Sequence, residues 1–211
     1  MSEQFVTSCE GVPTTTIART VADLGRQYGV ASAVVPLDFA LHHHLVTEAE
    51  LFEVLLACWT WPGIRKANRA VSLADARAES PLESLSRLVL RRLGIPPPTL
   101  QLEVADERGA FVGRADFGWE ERGVVGEADG LGKYAEREIL RAEKERQERL
   151  EQLGLVVVRW NWTDVTQRPL ALKQRVNRAF ERADSLRRSG VPRYWSVRAG
   201  RIQSVIATAV G

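Results

Sequence analysis

Cysteine is scarce in this 211-residue chain: Cys9 and Cys58 are far apart and form no CxxC pair. That spacing argues against a disulfide framework or a zinc ribbon and suits a reducing compartment. Long apolar runs are missing as well. No stretch approaches the roughly 18 residues that a membrane span needs, and the N-terminus lacks a signal-peptide pattern. The expected setting is therefore the cytoplasm, with no membrane partner. Charge of one sign is also lacking: 29 Lys and Arg against 27 Asp and Glu leave a formal +2, which does not by itself argue for nucleic acid. Histidine is confined to His42-His43-His44. Consecutive helical residues point about 100° apart, so these three do not converge on one ion. What remains is an ordinary globular composition, 45% hydrophobic and 27% charged, enough for one generous domain or two small ones.

Periodicity divides the chain. Residues 14–78 read as helices only, which makes 1–78 an all-helical N-terminal region. Ile17, Val21 and Leu24 recur at helical spacing before Gly29, a plausible stop. Thr47-Glu48-Ala49-Glu50 is a capping box, and Pro62-Gly63 opens a further helix. This region supplies packing and shows no catalytic grouping. Residues 79–190 change character. Ser80-Pro81-Leu82-Glu83 starts a helix ended by Gly94, and three strands follow, over 100–104, 112–119 and from Val124. A long charged helix over 134–153, an apolar strand over 155–160 and a helix capped by Thr163-Asp164 complete the order α-β-β-β-α-β-α. The crossover through the charged helix predicts that its two flanking strands are parallel. Residues 191–211 form a short C-terminal tail.

The chemistry lies in the second half. In Gly126-Glu127-Ala128-Asp129-Gly130, strand alternation puts Glu127 and Asp129 on one face. In the preceding strand Asp116 and Arg114 share the polar face, opposite Ala115, Phe117 and Trp119. The turn-like Glu120-Glu121-Arg122-Gly123 would set Trp119 opposite Val124, and hence Asp116 opposite Glu127. Clustered carboxylates repel one another unless a cation or proton neutralises them. Three acids on one face thus predict a divalent-metal site at Asp116, Glu127 and Asp129, against the alternative of solvated strand ends paired with Arg114 or Lys133. On the last helix, Arg175, Arg178, Arg182, Arg187 and Arg188 make a basic face suited to phosphates. On the charged helix, the row Arg137, Arg141 and Lys144 is offset by glutamates and reads as an ion-paired face.

These pieces resemble a known family. Ser80-Pro81-Leu82-Glu83-Ser84, Arg114-Ala115-Asp116-Phe117, Gly126-Glu127-Ala128-Asp129-Gly130, Lys133-Tyr134, Glu143-Lys144-Glu145-Arg146 and Val158-Arg159-Trp160 run in order along residues 80–182. They look like the domain related to very-short-patch-repair endonucleases, within the PD-(D/E)XK nuclease superfamily. Upstream, Val12-Pro13-Thr14-Thr15, Ala18-Arg19-Thr20-Val21-Ala22-Asp23-Leu24 and Pro62-Gly63 resemble the middle of AbiEi-type antitoxin homologues, whose usual winged helix has no counterpart in this sequence. The resemblance implies a mixed α/β fold with a restriction-endonuclease-like core, magnesium or manganese as cofactor, and DNA as partner. It implies Asp116 and Glu127 as metal-binding acids and Glu83 as an additional acid, although Glu83 is equally explained as the N3 partner in a capping box with Ser80. The superfamily places a lysine two residues after the second acid, and here Asp129 holds that position. Lys133 is the substitute on a flexible stem, to stabilise phosphate or position water. The expectation is a magnesium-dependent endonuclease. Its alternative is a non-catalytic DNA-binding regulator of the antitoxin type, with a cognate toxin or a homodimer left open.

Overall fold

The computed structural model describes residues 3–129, 137–191 and 193–197, the side chains of residue 3 and of 137–143 excepted. The protein is mixed α/β, with an open mixed sheet and many helices. It folds as two compact units that divide after Ser84. The division falls inside a helix, whereas the sequence places it before that helix, at 78/79.

The first unit is not all-helical. It opens on a hairpin of β1 (Val6–Cys9) and β2 (Val12–Thr15), paired antiparallel with Val6 opposite Thr15. Glu10 and Gly11 form its two-residue turn at φ 52 and 80, the left-handed pair that hairpin twist favours. The β-branched Val6, Thr7, Val12, Thr14 and Thr15 suit extended backbone. Strands of four residues are too short for alternation to compete with the helical periodicity that follows. Four helices follow. In α1 (Ile17–Tyr28) the Thr16 side chain accepts from the Arg19 amide, and α2 (Val30–His42) starts directly after Gly29. Before α3 (Glu48–Ala57), Thr47 and Glu50 form the expected capping box. The Thr47 hydroxyl and amide, both donating to Glu50, hold that carboxyl below its usual range. α4 (Ile64–Val71) lies so close to α1 that a Cβ on Gly25 would come 2.9 Å from Ala67 Cα.

α5 (Pro81–Arg92) carries the chain into the second unit. There β3 (Thr99–Asp106), β4 (Phe111–Trp119) and β5 (Val124–Ala128) form an antiparallel meander. α6 (Arg137–Gln152) then crosses over to β6 (Val156–Trp160), which pairs parallel to β5 as the connection requires. On one side of this sheet Phe117 and Trp160 are in ring contact at 5.0 Å, and Trp160 Nε1 donates to Ser86 Oγ at 2.8 Å. Leu102, Val104, Ala115, Val125, Leu150 and Leu155 form a further buried cluster that brings α6 into the core.

Two predicted elements are revised by the structure. The last helix is in fact two, α7 (Trp162–Thr166) and α8 (Pro169–Arg188). The cap of α7 is Asn161, and Asp164 is its N3 partner in a capping box. The chain restarts at Pro169, whose ring fits a first helical turn but cannot continue a preceding one. The tail is not featureless: β7 (Trp195–Val197) pairs antiparallel with β3, placing Val104 opposite Val197 and completing the strand order β6-β5-β4-β3-β7. Three residues carry no readable period, so only the pairing reveals this strand. Among the described residues no helix is long and apolar enough to cross a membrane.

Candidate functional site

The predicted strand register holds. Trp119 pairs with Val124, Gly118 with Val125 and Phe117 with Gly126. The pairing ends at Phe117 and Gly126, and Asp116 and Glu127 are the next residues along these two strands in the interior of the sheet. The connection is the Glu120–Arg122 turn of 3₁₀ helix closed by Gly123 at φ 68, a left-handed position that glycine fills without strain. Glu127 is 6% exposed, and Asp116 is half-buried. Asp116 Oδ2 accepts the Ala128 amide at 2.8 Å, which orients its carboxylate toward the β5 backbone.

Glu127 meets a residue to which sequence reasoning assigned no role. Arg146 of α6 donates from Nη2 to Glu127 Oε2 at 2.7 Å and from Nη1 to the Arg114 carbonyl at 2.7 Å. One guanidinium thus ties the crossover helix to both acid-bearing strands. Arg159 is the second addition: the parallel register sets it beside Glu127. Its Nη1 lies 3.4 Å from Asp129 Oδ1, and the Asp129 amide donates to the Trp160 carbonyl at 2.8 Å. The signal for Arg159 was available, because a parallel β5–β6 pair places a residue next to Glu127. For Arg146 there was none, since its place opposite Glu127 depends on how α6 lies on the sheet.

The structure thus places Asp116 and Glu127 on adjacent strands, just beyond the last paired residues Phe117 and Gly126, while Asp129, just past the end of β5, associates with Arg159. Lys133 lies outside the described residues. Glu83 belongs to the first unit, is 6% exposed and acts as a cap partner. It accepts from Ser80 Oγ at 2.7 Å and from the Glu79 amide at 3.0 Å, while the Glu83 amide donates to Ser80 Oγ at 3.2 Å. The basic face of the last helix loses two members, one of them Arg187, which pairs with Asp184 at 2.6 Å. Arg175 donates to both oxygens of Asp164 at 2.9 Å and to the Arg159 carbonyl at 2.7 Å, so it joins α8 to α7 and β6. Arg178, Arg182 and Arg188 remain exposed.

Burial pushes the Asp164 carboxyl up, but hydrogen bonds from Arg175 and the Asn161 amide, with the charges of Arg175 and Arg168, outweigh it and hold the group below its ordinary 3.8. A depressed carboxyl pKa stabilises the fold above the unfolded value, and this stabilisation is lost as pH falls through the folded one. Asp164→Asn is therefore expected to cost about 1–2 kcal/mol at pH 7, a figure held low because Arg175 is partly exposed. The gap to wild type should close in acid, below the ordinary value of 3.8. Thermal melts from pH 7 downward check this, and a gap that persists undiminished in acid would contradict it.

Among the described residues no group of three or more His, Cys, Asp or Glu side chains could hold a metal ion. Asp116 and Glu127 alone still fit magnesium in kind, since that ion is commonly held by one or two carboxylates with water and phosphate completing its shell. Arg146 already supplies a positive charge to Glu127 Oε2, so a dication at this oxygen would compete with it.

Comparison with known proteins adds relatives without an assigned activity. No family model matches the chain, and no solved structure matches it. The chain is 30% identical over 166 residues, 79% of its length, to "Uncharacterized protein MT2308" of Mycobacterium tuberculosis (strain CDC 1551 / Oshkosh). It matches "Uncharacterized protein Rv2248" of Mycobacterium tuberculosis (strain ATCC 25618 / H37Rv) to the same extent. The match takes in 61% of each relative, so the chain spans about three fifths of their length.

Proposed function

We propose that the second unit is a nuclease-type domain with a restriction-endonuclease-like core that acts on DNA, and that Asp116 and Glu127 hold a magnesium or manganese ion. The observation that supports this most is a pair of carboxylates on adjacent interior strands, Asp116 held by the Ala128 amide and Glu127 next to Ala128 in sequence. Two carboxylates on adjacent strands favour a cation that neutralises them. When bound, such an ion neutralises phosphate charge and lowers the pKa of its water. The chain's own groups do the rest. The Ala128 amide fixes Asp116, Arg146 and Arg159 supply donors for phosphate oxygens, and exposed Arg178, Arg182 and Arg188 meet the DNA backbone. Lys133 is the proposed positioning group for water.

A second reading is favoured by one contact. Arg146 at 2.7 Å gives Glu127 an internal counter-ion, and Asp129 takes the place of the usual lysine. Both suit a DNA-binding regulator of the antitoxin type that keeps the fold without turnover, with a toxin or a second copy of the chain as its partner. Cleavage of single-stranded, duplex and mismatched DNA in magnesium or manganese, by wild type and the Asp116→Asn, Glu127→Gln double variant, separates the two. Metal-dependent cutting lost in the variant is the expected result. Salt-dependent binding with no cutting by either protein would establish the regulator instead.

A further inference from the structure

We infer that α4 and the loop before it form a binding surface for single-stranded nucleic acid in the first unit. α4 packs inward through small residues: Ala67 and Ala70 are buried, and Gly25 admits the Ala67 backbone to within van der Waals contact of α1. Outward it carries Arg65, Lys66 and Arg69, all exposed. Among the described residues none of the three is in an ion pair. No acidic residue occurs in the sequence between Glu53 and Asp75, so nothing on the segment itself offsets this charge. A row of uncompensated cations attracts polyanions by releasing their condensed counter-ions.

The preceding loop adds an aromatic group on a braced support. The guanidiniums of Arg19 and Arg26 each lie 4.6 Å from the Trp61 ring centre, and Arg26 Nε donates to the Pro62 carbonyl at 3.1 Å. Gly63 sits at φ 83, where a Cβ would come 2.4 Å from the Arg26 carbonyl oxygen, so the loop is seated directly on the α1 backbone. On that seat Trp59 is 71% exposed. An exposed indole on the loop that leads into a row of unpaired cations is the combination by which single strands are held: bases stack on the ring while the backbone follows the charge. Stacking needs an unpaired base, which selects the single strand over the duplex. The surface shares no residue with the acid pair, and binding measured without divalent metal is independent of cleavage.

Fluorescence anisotropy of a labelled oligothymidine of about 30 nucleotides, enough for several contacts, tests this with the full chain in EDTA over a salt series. The variants are Arg65→Gln/Lys66→Gln/Arg69→Gln, Trp59→Ala, and a charge-matched control, Arg91→Gln/Arg92→Gln/Arg108→Gln, whose three arginines are exposed in the second unit. Removing three phosphate contacts is expected to flatten the log–log salt slope by about 2 and to weaken binding at low salt at least tenfold. Trp59→Ala is expected to weaken single-strand binding at least about fivefold and to leave duplex binding unchanged. The control should change the slope little. Equal loss in both triple variants would reduce the effect to net charge and overturn the assignment. Full affinity in the α4 variant would overturn it too, leaving the surface to another partner such as an acidic protein. So would a wild type that fails to bind the oligomer at low salt.

Discussion

Arg146→Gln is expected to destabilise the second unit by about 2 kcal/mol and to lower its melting temperature by about 6 °C, in a way that manganese or magnesium partly reverses. In the folded protein Arg146 donates to Glu127 Oε2 and to the Arg114 carbonyl, each at 2.7 Å. The Glu127 side chain is 8% exposed and that of Arg146 23%, so neither charge is fully screened by water. Glutamine keeps much of the stem but removes the charge and the fork that reaches two acceptors at once. Glu127 would then hold its negative charge beside Asp116 without the guanidinium, and the repulsion between the acids would rise. Fully buried pairs lose about 3–5 kcal/mol on such a change, and partial exposure of Arg146 brings the figure down. The metal response is the discriminating part. A ligand that binds only the folded state raises the melting temperature in proportion to the free energy of its binding. With the competing guanidinium gone, millimolar manganese should raise the melting temperature of Arg146→Gln more than that of wild type. If manganese moves neither protein, Asp116 and Glu127 are not a metal site, and Arg146 is simply the structural counter-ion of Glu127.

Gly126→Ala is the second change with a large expected effect: a loss of about 3 kcal/mol and about 6–12 °C in melting temperature. The Cβ would lie 2.5 Å from Trp160 Cη2, 2.7 Å from Cζ3 and 3.2 Å from Phe117 Cβ. Trp160 cannot give way cheaply, being 1% exposed, in ring contact with Phe117 and hydrogen-bonded through Nε1 to Ser86. The methyl therefore pushes β5 away from β6 or forces the indole off its rotamer. Removing a glycine also stabilises slightly, by about 0.4–1 kcal/mol through the unfolded chain, which is too little to offset the clash. Because Gly126 precedes Glu127, a shifted strand also carries the acid pair with it. A denaturant midpoint equal to wild type would show that the indole has room to move, contrary to the packing described above.

Much of this architecture is legible in the residues. The capping box at Thr47 and Glu50, the helix starting at Pro81 and the charged crossover helix follow from rules confined to one turn or one period. The pairing of Trp119 with Val124 is also accessible, because a four-residue connection leaves little freedom in register. Elsewhere local rules failed for identifiable reasons. The β1–β2 hairpin was hidden by its short strands. After β6, Thr163 and Asp164 resemble a cap and suggest one continuous helix, although the side chain that accepts is that of Asn161.

What the chain's local chemistry decides, then, is the order and type of its elements, the antiparallel register of β4 on β5 and the parallel run of β6 beside β5. Those follow from periodicity, connection length and chirality, which act over a few residues at a time. Tertiary structure alone decides which charges meet. Arg146 reaches Glu127 across 19 positions, Arg159 meets Asp129 across 30, and β7 closes on β3 from the far end of the chain. Such partners depend on the angle at which a helix lies on a twisted sheet and on which strand edge stays open, and no period within a segment encodes either. The acid pair is therefore readable as a candidate in the sequence, whereas the counter-ion that tunes it becomes visible only once α6 has docked.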